Sequence, residues 1–290
     1  MPKKITELPY GAKIKFGAYC VEDEGAHVIK WIKAQDNDTI FITEKIEDFR
    51  AFDAKEQSNP DEYRRRYGNN RYSVSNIDGF LNSSGEHWYV PRHEYDEAPT
   101  GSLVRDNTEY AEHQGFLAFF AEWELEAIMN SQITVTIPSC DRYGQRYEVI
   151  TRKVFLPSMM NVFGRTTSDI EEGEYWDYFR NYSAEAQPTR FAVDNTDMDD
   201  GDPEEDENWY WLLRSPSAGD SYGVRYVDRG GDYDYCDACD GMLGVRPALR
   251  INPEILVSDK PDDDGYYEII QKDVEICEVS EDELMKLLLA

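Results

Sequence analysis

The chain has 290 residues, with 59 Asp and Glu against 30 Lys and Arg and a formal net charge of −29. That balance disfavours nucleic acid and anionic membrane surfaces as partners, because both are gripped through clustered Lys and Arg. The length admits one large core or two modest ones, and 40% hydrophobic with 13% aromatic content suffices to fill it.

The opening "MPKKITELPYGAKIKFG" begins with the lysine pair Lys3-Lys4 but has no apolar core, so no signal peptide is expected. No apolar run approaches the ~18 residues of a membrane span. Synthesis in the cytosol is the expectation, with any export by another route such as assembly into a phage particle. Next, "AKIKFGAYCV", "HVIKWIKAQ" and "DTIFITEKI" alternate apolar and polar residues with β-branched enrichment. They predict three short strands between residues 10 and 50, arranged as a meander or a pair of hairpins. Asn59-Pro60 opens a turn, and Ser75 offers a cap for a helix over "NIDGFLNS". The basic run Arg64-Arg65-Arg66 is expected to partner nearby carboxylates rather than phosphate.

Residues 115–131, "GFLAFFAEWELEAIMNS", place Phe116, Phe120, Trp123, Ala127 and Met129 in a near-helical rhythm. They predict one amphipathic helix, with Glu122, Glu124 and Glu126 on its exposed face. "QITVTIPS" and "RYEVITRKVFLPS" predict strands. The segment 165–210 reads as loop, centred on the acidic run "DNTDMDDGDPEEDEN". Clustered carboxylates at 195–206 suit Ca²⁺, but the glycine of a regular calcium loop is out of place and Pro203 interrupts the frame. A mobile acidic loop is the expectation, with an irregular Ca²⁺ site as the alternative; no other cofactor is expected. After 255 comes an extension, 256–290, with a turn at "KPDDDG", a strand at "YYEIIQ" and a final helix capped by Ser280 with Glu283.

No enzyme motif accompanies this layout. The histidines are His27, His87, His93 and His113, none in a recognisable setting, and GxSxG, HExxH, P-loop and dinucleotide fingerprints are absent. The cysteines Cys20, Cys140, Cys236, Cys239 and Cys277 are too scattered for a disulfide framework. Cys236-Asp-Ala-Cys239 has CxxC spacing without a second ligand pair, so no metal site is expected there.

The segment 217–241 differs from the rest. Glu, Lys, Gln, Met and Trp make up roughly a fifth of the chain, so about five are expected in this stretch. It contains none. It is flanked by "WYWLLRSP" and "GVRPALRINP".

The block from "WYWLLRSP" to "GVRPALRI" resembles the end of an uncharacterised domain family of gut bacteria and their phages. The pattern W-L-R-S-P falls on Trp211, Leu213, Arg214, Ser215 and Pro216, with Leu212-Leu213 doubled. G-V-R-P-A-L falls on Gly244 through Leu249. Earlier stretches, "KIKFGAY", "HVIKWIKAQ", "YSVSNIDGFLN" and "VFLPSMMNVFG", follow the family order, so the resemblance covers roughly 10–255. That family is similar to the C-type-lectin fold of the formylglycine-generating-enzyme type, several members of which are variable proteins of diversity-generating retroelements. The resemblance implies an α+β domain over 1–255, with mixed and antiparallel short strands, a few helices and much irregular loop, carrying a variable surface at about 217–243.

In such systems template adenines are mutagenised, and Asn codons with a fixed third pyrimidine change in their first two bases. The resulting set lacks Glu, Lys, Gln, Met and Trp. The same absence is also open to a plainer reading, since Asp, Gly and Tyr are good loop residues. On the resemblance, the expectation is a non-catalytic protein whose 220–241 surface binds a protein or glycan partner on a host or bacterial surface. Tyr222, Tyr226, Tyr233 and Tyr235 would supply contact area, as in antibody paratopes. Asp220, Asp228, Asp232, Asp234, Asp237 and Asp240 would supply hydrogen bonds, Arg225 and Arg229 bidentate donors, and Cys236 and Cys239 the remainder. Trp209, Trp211, Arg214, Pro216, Gly244, Arg246 and Pro247 would form the frame, the arginines holding carboxylates or carbonyls. The copper-dependent oxidation of the formylglycine-generating relatives is not carried over, because both cysteines lie inside the variable stretch. An oxidase of the same fold and a structural, oligomer-forming phage component are the alternatives.

Overall fold

The computed structural model describes residues 1–20, 25–105, 110–196 and 203–270. The first three predicted strands are present as Lys13–Tyr19, His27–Lys33 and Ile40–Thr43, in antiparallel register with Lys13 opposite Ile32 and Trp31 opposite Thr43. Their alternation is the cause: Ile14, Phe16, Ile29 and Trp31 point into the core, while Lys15, Val28 and Lys30 face outward. Lys33 is buried, and its ammonium donates to the carbonyls of Thr6, Leu8 and Asp36.

These strands belong to a sheet ordered Tyr266–Tyr267, Lys13–Tyr19, His27–Lys33, Ile40–Thr43, Ala248–Ile251, Ile128–Met129, with Val154–Phe155 also on Ala248–Ile251. A second sheet runs Tyr233–Asp237, Gly223–Val227, Trp211–Pro216, Gly244–Val245, Asp48–Phe49. Two neighbouring chain segments cross between the sheets. Residues 40–49 leave the first for the second, and Gly244–Ile251 makes the same crossing antiparallel to it. The predicted frame motif "GVRPAL" is this crossing. Strand outweighs helix, 28% against 18%, and the helices are short. The protein is therefore an α+β fold of short strands, a few helices and irregular loops.

One continuous apolar core lies under both sheets. The strand Trp211–Pro216 is buried along its whole length, the mark of a strand covered on both faces. Its two central polar side chains are satisfied inside: Ser215 bonds Glu172, and Arg214 bonds backbone carbonyls.

Two expectations change. The predicted helix over 115–131 is helical only at Glu122–Ala127. Residues 115–120 instead form turns that bring Phe116 against Tyr19 and Phe80, and Phe120 against Phe16. The aromatic spacing thus records core contacts, not helical pitch. Glu124 then starts the helix afresh, accepting from the backbone N–H of Ala121 and of Gly17. Of the three glutamates, Glu122 and Glu126 are exposed and Glu124 is half-buried. The segment 165–210 also carries helices at Asp177–Asn181 and Arg190–Asp194, the latter capped by Thr189.

The helix Asn76–Leu81 begins at its Ser75 cap, whose hydroxyl oxygen accepts from Asp78 N–H. In the basic run, Arg64 pairs with Asp141 and Arg66 with Glu62, while Arg65 donates to the carbonyls of Asn59 and Pro60. Residues 256–270 pair with the N-terminal strands: Leu256–Val257 lies between Lys3–Lys4 and Ile269–Ile270, and Tyr266–Tyr267 runs parallel to Lys13–Ile14. The centre of the acidic run, 197–202, and the expected final helix with Ser280 and Glu283 lie outside the described residues. Among the described residues, no helix is long and apolar enough to cross a membrane.

Candidate ligand-binding surface

The residue-restricted segment folds as a β-hairpin at the edge of the second sheet. Gly223–Val227 pairs with Tyr233–Asp237, setting Arg225 opposite Tyr235, Tyr226 opposite Asp234 and Val227 opposite Tyr233. Its turn is built by Asp228, whose carboxylate accepts from Gly230 and Asp232 N–H while its carbonyl accepts from Gly231 N–H. Gly231 takes a φ of +79°, which closes a three-residue hairpin loop without Cβ strain.

Both ends of the hairpin are fixed. Before it, Asp220 turns the chain by accepting from Tyr222 and Gly223 N–H, and Asn70 donates to the carbonyls of Ser217 and Gly223. After it, Cys239 N–H donates to Tyr67 O, Asp53 N–H to Ala238 O, and Arg105 N–H to Cys239 O. The Arg105 guanidinium then reaches Asp237 at 2.8 Å and Asp240 at 2.7 Å.

Aromatic contacts tie the hairpin sideways to the frame. Tyr222 stacks on Tyr63 with ring centroids 5.5 Å apart and lies 4.9 Å from Tyr67. Tyr226 meets Tyr210 edge-on at 5.6 Å. Tyr233 packs 5.1 Å from Phe163. Arg229 lies over Trp209 at 3.9 Å.

The frame residues are all buried. Trp209 and Trp211 donate their indole N–H to Met242 O and Ala184 O. Arg214 donates to the carbonyls of Leu156 and Glu172 and to Asn161 Oδ1. Arg246 donates to the carbonyls of Thr43 and Glu44 at the crossing between sheets. Both arginines hold carbonyls rather than carboxylates. Pro216 sits opposite Val224 at the start of the hairpin, and Pro247 O accepts from Thr43 N–H. A Cβ on Gly244 would meet Ile46 Cγ2 at 2.6 Å and Tyr210 O at 2.8 Å, so the crossing admits only glycine without a shift.

The fourteen expected contact residues therefore divide. Arg229, Asp232, Asp234 and Tyr235 are exposed; Tyr222, Arg225, Tyr226, Tyr233 and Cys236 are half-buried and present one side outward. Asp220, Asp228, Asp237 and Asp240 are occupied by turns and by Arg105. Cys239 is corrected from surface to frame: it is 1% exposed and its thiol points to Arg66 O. Burial pushes the Cys239 thiol up to about 11, and burial, then Asp240 and Asp237, also pushes Cys236 well above its ordinary value. Neither is the low-pKa thiolate that disulfide exchange uses. Burial, then Asp234, likewise raises the Tyr226 hydroxyl to about 12, so it remains a hydrogen-bond donor at neutral pH.

The sequence reading missed the residues that complete this surface from elsewhere in the chain: Tyr63, Tyr67, Arg105, Phe163 and Arg165. They lie far from 217–241 in sequence; only Phe163 falls in a recognised stretch, "VFLPSMMNVFG", and that stretch does not point to the hairpin. Among the described residues, Asp53, Glu56 and His93 bring potential ligand atoms within 4.8 Å of one another. Their oxygens are already taken by Asn69, Asn76, Asn59 and His93 itself, so the cluster is internal bracing beneath the 238–240 strand end.

No curated protein and no solved structure matches the chain. Residues 36–253, which take in both flanking motifs and the whole hairpin, match the family described as Domain of unknown function (DUF6273). The chain belongs to that DUF6273 family.

Proposed function

We propose that the protein is a non-catalytic ligand-binding protein of C-type-lectin type, whose 220–241 hairpin is a contact surface varied by a diversity-generating retroelement. The observation that carries the reading is the place of the restricted stretch in the fold. Residues 212–241 contain no Glu, Lys, Gln, Met or Trp, and the edge hairpin with its two pinned ends lies wholly within them, ending just before Met242. A surface that must change sequence without unfolding its host needs such an arrangement. The ladder of the hairpin and the bonds that pin its far end to Tyr67, Asp53 and Arg105 are made by backbone groups, with Asp220 and Asp228 alone turning the chain through their carboxylates. Trp209, Trp211, Arg214 and Arg246 make their hydrogen bonds outside the segment. Tyr235, Arg229, Asp232 and Asp234 then offer the rigid aromatic and adaptable polar contacts of a paratope. The partner is a protein or glycan on a host or bacterial surface, and a phage-borne receptor-binding or accessory role fits it.

Sequencing the encoding locus tests this directly. The expected result is a near-identical template repeat of the 217–243 region beside a reverse transcriptase gene, differing from it at template adenines. A locus without the repeat, or with differences elsewhere than at adenines, removes the diversification reading.

A further inference from the structure

We propose that the cleft between the hairpin and residues 164–168 is an acid-sugar subsite. In it Arg165 and Arg225 take the carboxylate of a saccharide, and Tyr233 and three hydroxyls take its ring. This rests on the reading of the hairpin as the contact surface and names the chemistry of one part of it.

The cleft has a volume of about 580 Å³ and is lined by Arg165, Thr166, Ser168, Ser217, Arg225 and Tyr233 among others. That is the size range of a small-ligand site. Its charge is the first argument. The chain carries nearly two acidic residues for each basic one, and its described arginines are accordingly engaged. Arg50, Arg64, Arg66, Arg71, Arg92, Arg105, Arg146, Arg152, Arg180, Arg190, Arg229 and Arg250 each have a carboxylate within 4.0 Å. Arg65, Arg142, Arg214 and Arg246 donate to carbonyls. Among the described residues Arg165 and Arg225 alone have neither kind of partner. Both converge on one ring, with their guanidinium carbons 5.4 Å and 5.9 Å from the Tyr233 centroid. Two arginines that line one cleft of an acidic protein, neither with a carboxylate within 4.0 Å, make a receptor for an anion supplied from outside. The guanidinium fork matches a carboxylate.

The remainder of the lining decides for a saccharide over a simple acid or an acidic peptide. The hydroxyls of Thr166, Ser168 and Ser217 make no hydrogen bond to other described residues, so they are free to exchange bonds with ring hydroxyls. Tyr233 adds an aromatic surface against which the C–H face of a sugar ring packs. The rim is also held in a costly conformation: Ser168 and Asp169 have φ of +49° and +60°, in a turn closed by the Ile170 N–H to Thr167 O bond. Asp169 is tolerated at such a position, but Ser168 is not the glycine, asparagine or aspartate that the turn favours. The turn places Ser168 on the cleft.

Under the diversification reading this subsite has two halves. Arg165, Thr166 and Ser168 belong to the frame and stay constant, whereas Arg225 and Tyr233 belong to the varied segment. The frame would then supply a standing preference for acidic glycans, which each version of the hairpin sharpens or abolishes.

The test is titration calorimetry of the full chain with sialyllactose and digalacturonate, each beside its neutral counterpart, lactose or digalactose, and with a short poly-aspartate peptide. At least one acidic saccharide is expected to bind about 10-fold or more tightly than its neutral counterpart, weakening as salt rises. Arg165→Gln and Arg225→Gln should each weaken that binding about 10-fold, with unchanged thermal unfolding. Arg165→Lys, which keeps the charge and loses the fork, should fall between. Absence of binding by both acidic saccharides, equal binding of neutral ones, or indifference to both arginine substitutions overturns the proposal. Tighter binding of poly-aspartate than of either saccharide overturns it in favour of an acidic peptide. The template-repeat search uses no ligand, so the diversification reading and this subsite fail separately.

Discussion

Arg105 and Asp240 meet twice: Arg105 Nη2 donates to the Asp240 carboxylate at 2.7 Å, and their backbones run side by side as a parallel bridge. Through this contact a residue far from the hairpin in sequence closes the hairpin's base, with Asp237 held by the same guanidinium. Because Arg105 is 42% exposed, solvent screens the ion pairs and their removal costs only about 1 kcal/mol. Arg105→Ala is therefore expected to leave the fold intact while loosening residues 237–241. Limited proteolysis should show faster cutting near that strand end, with a fall of only a few degrees in thermal midpoint.

Arg214 is a different kind of arginine. It is 2% exposed, and its donors reach Leu156 O, Asn161 Oδ1 and Glu172 O, closing the segments around 156–161 and 172 against the strand Trp211–Pro216. Arg214→Met leaves buried Leu156 O without a donor, at about 1–3 kcal/mol, and removes one donor each from Glu172 O and Asn161 Oδ1, which Ser158 also reaches. A loss above about 3 kcal/mol in urea denaturation, or failure to recover folded protein, is expected. Stability within 1 kcal/mol of the parent would show that Arg214 does not brace the frame.

The strands of residues 13–43 were legible because one face of each is buried and period-two alternation writes that burial into the sequence. The flanking motifs were legible for a related reason: Trp211 and Arg246 are fixed by contacts that no other side chain reproduces. The helix at 115–131 was misread because Phe116, Phe120 and Trp123 repeat at helical spacing while reaching the core through turns, and periodicity cannot separate these. Half of the candidate surface was legible through its missing residue types. Arg165, Tyr63 and Arg105 were not, since only long-range packing brings them beside Tyr233, Tyr222 and Asp240. Within 217–241 the sequence also could not separate exposed Tyr235 from buried Cys239, because hairpin register decides that.

Gly244 and Gly219 make a paired test of where the frame ends. A methyl on Gly244 would press on Ile46 and on Tyr210 O, so Gly244→Ala should destabilise by about 1–3 kcal/mol. Gly219 has nothing within 4 Å of its virtual Cβ, and Gly219→Ala should stay within about 0.5 kcal/mol. Chemical denaturation of the two variants side by side measures both. Equal effects would contradict the division into a rigid clamp and a tolerant surface.

Asp53 lies beneath the hairpin's far end, where its N–H donates to Ala238 O. Burial, then the charges of Glu56 and Asp96, push its carboxyl well above the ordinary carboxylate range, against the pull of N–H bonds from Asn76 and Asn69. The folded state thus retains a proton that the unfolded chain releases near pH 3.9. The stabilisation from protonated Asp53 is complete below that unfolded value and is lost as pH rises through the folded one. Asp53→Asn is fixed in the neutral form. Whatever its effect in acid, its stability relative to the parent should improve as pH is raised above 4, by about 1.4 kcal/mol for each pH unit within the window between the two values. Urea denaturation across that range provides the measurement, and a difference that stays constant or moves the other way would contradict the raised carboxyl.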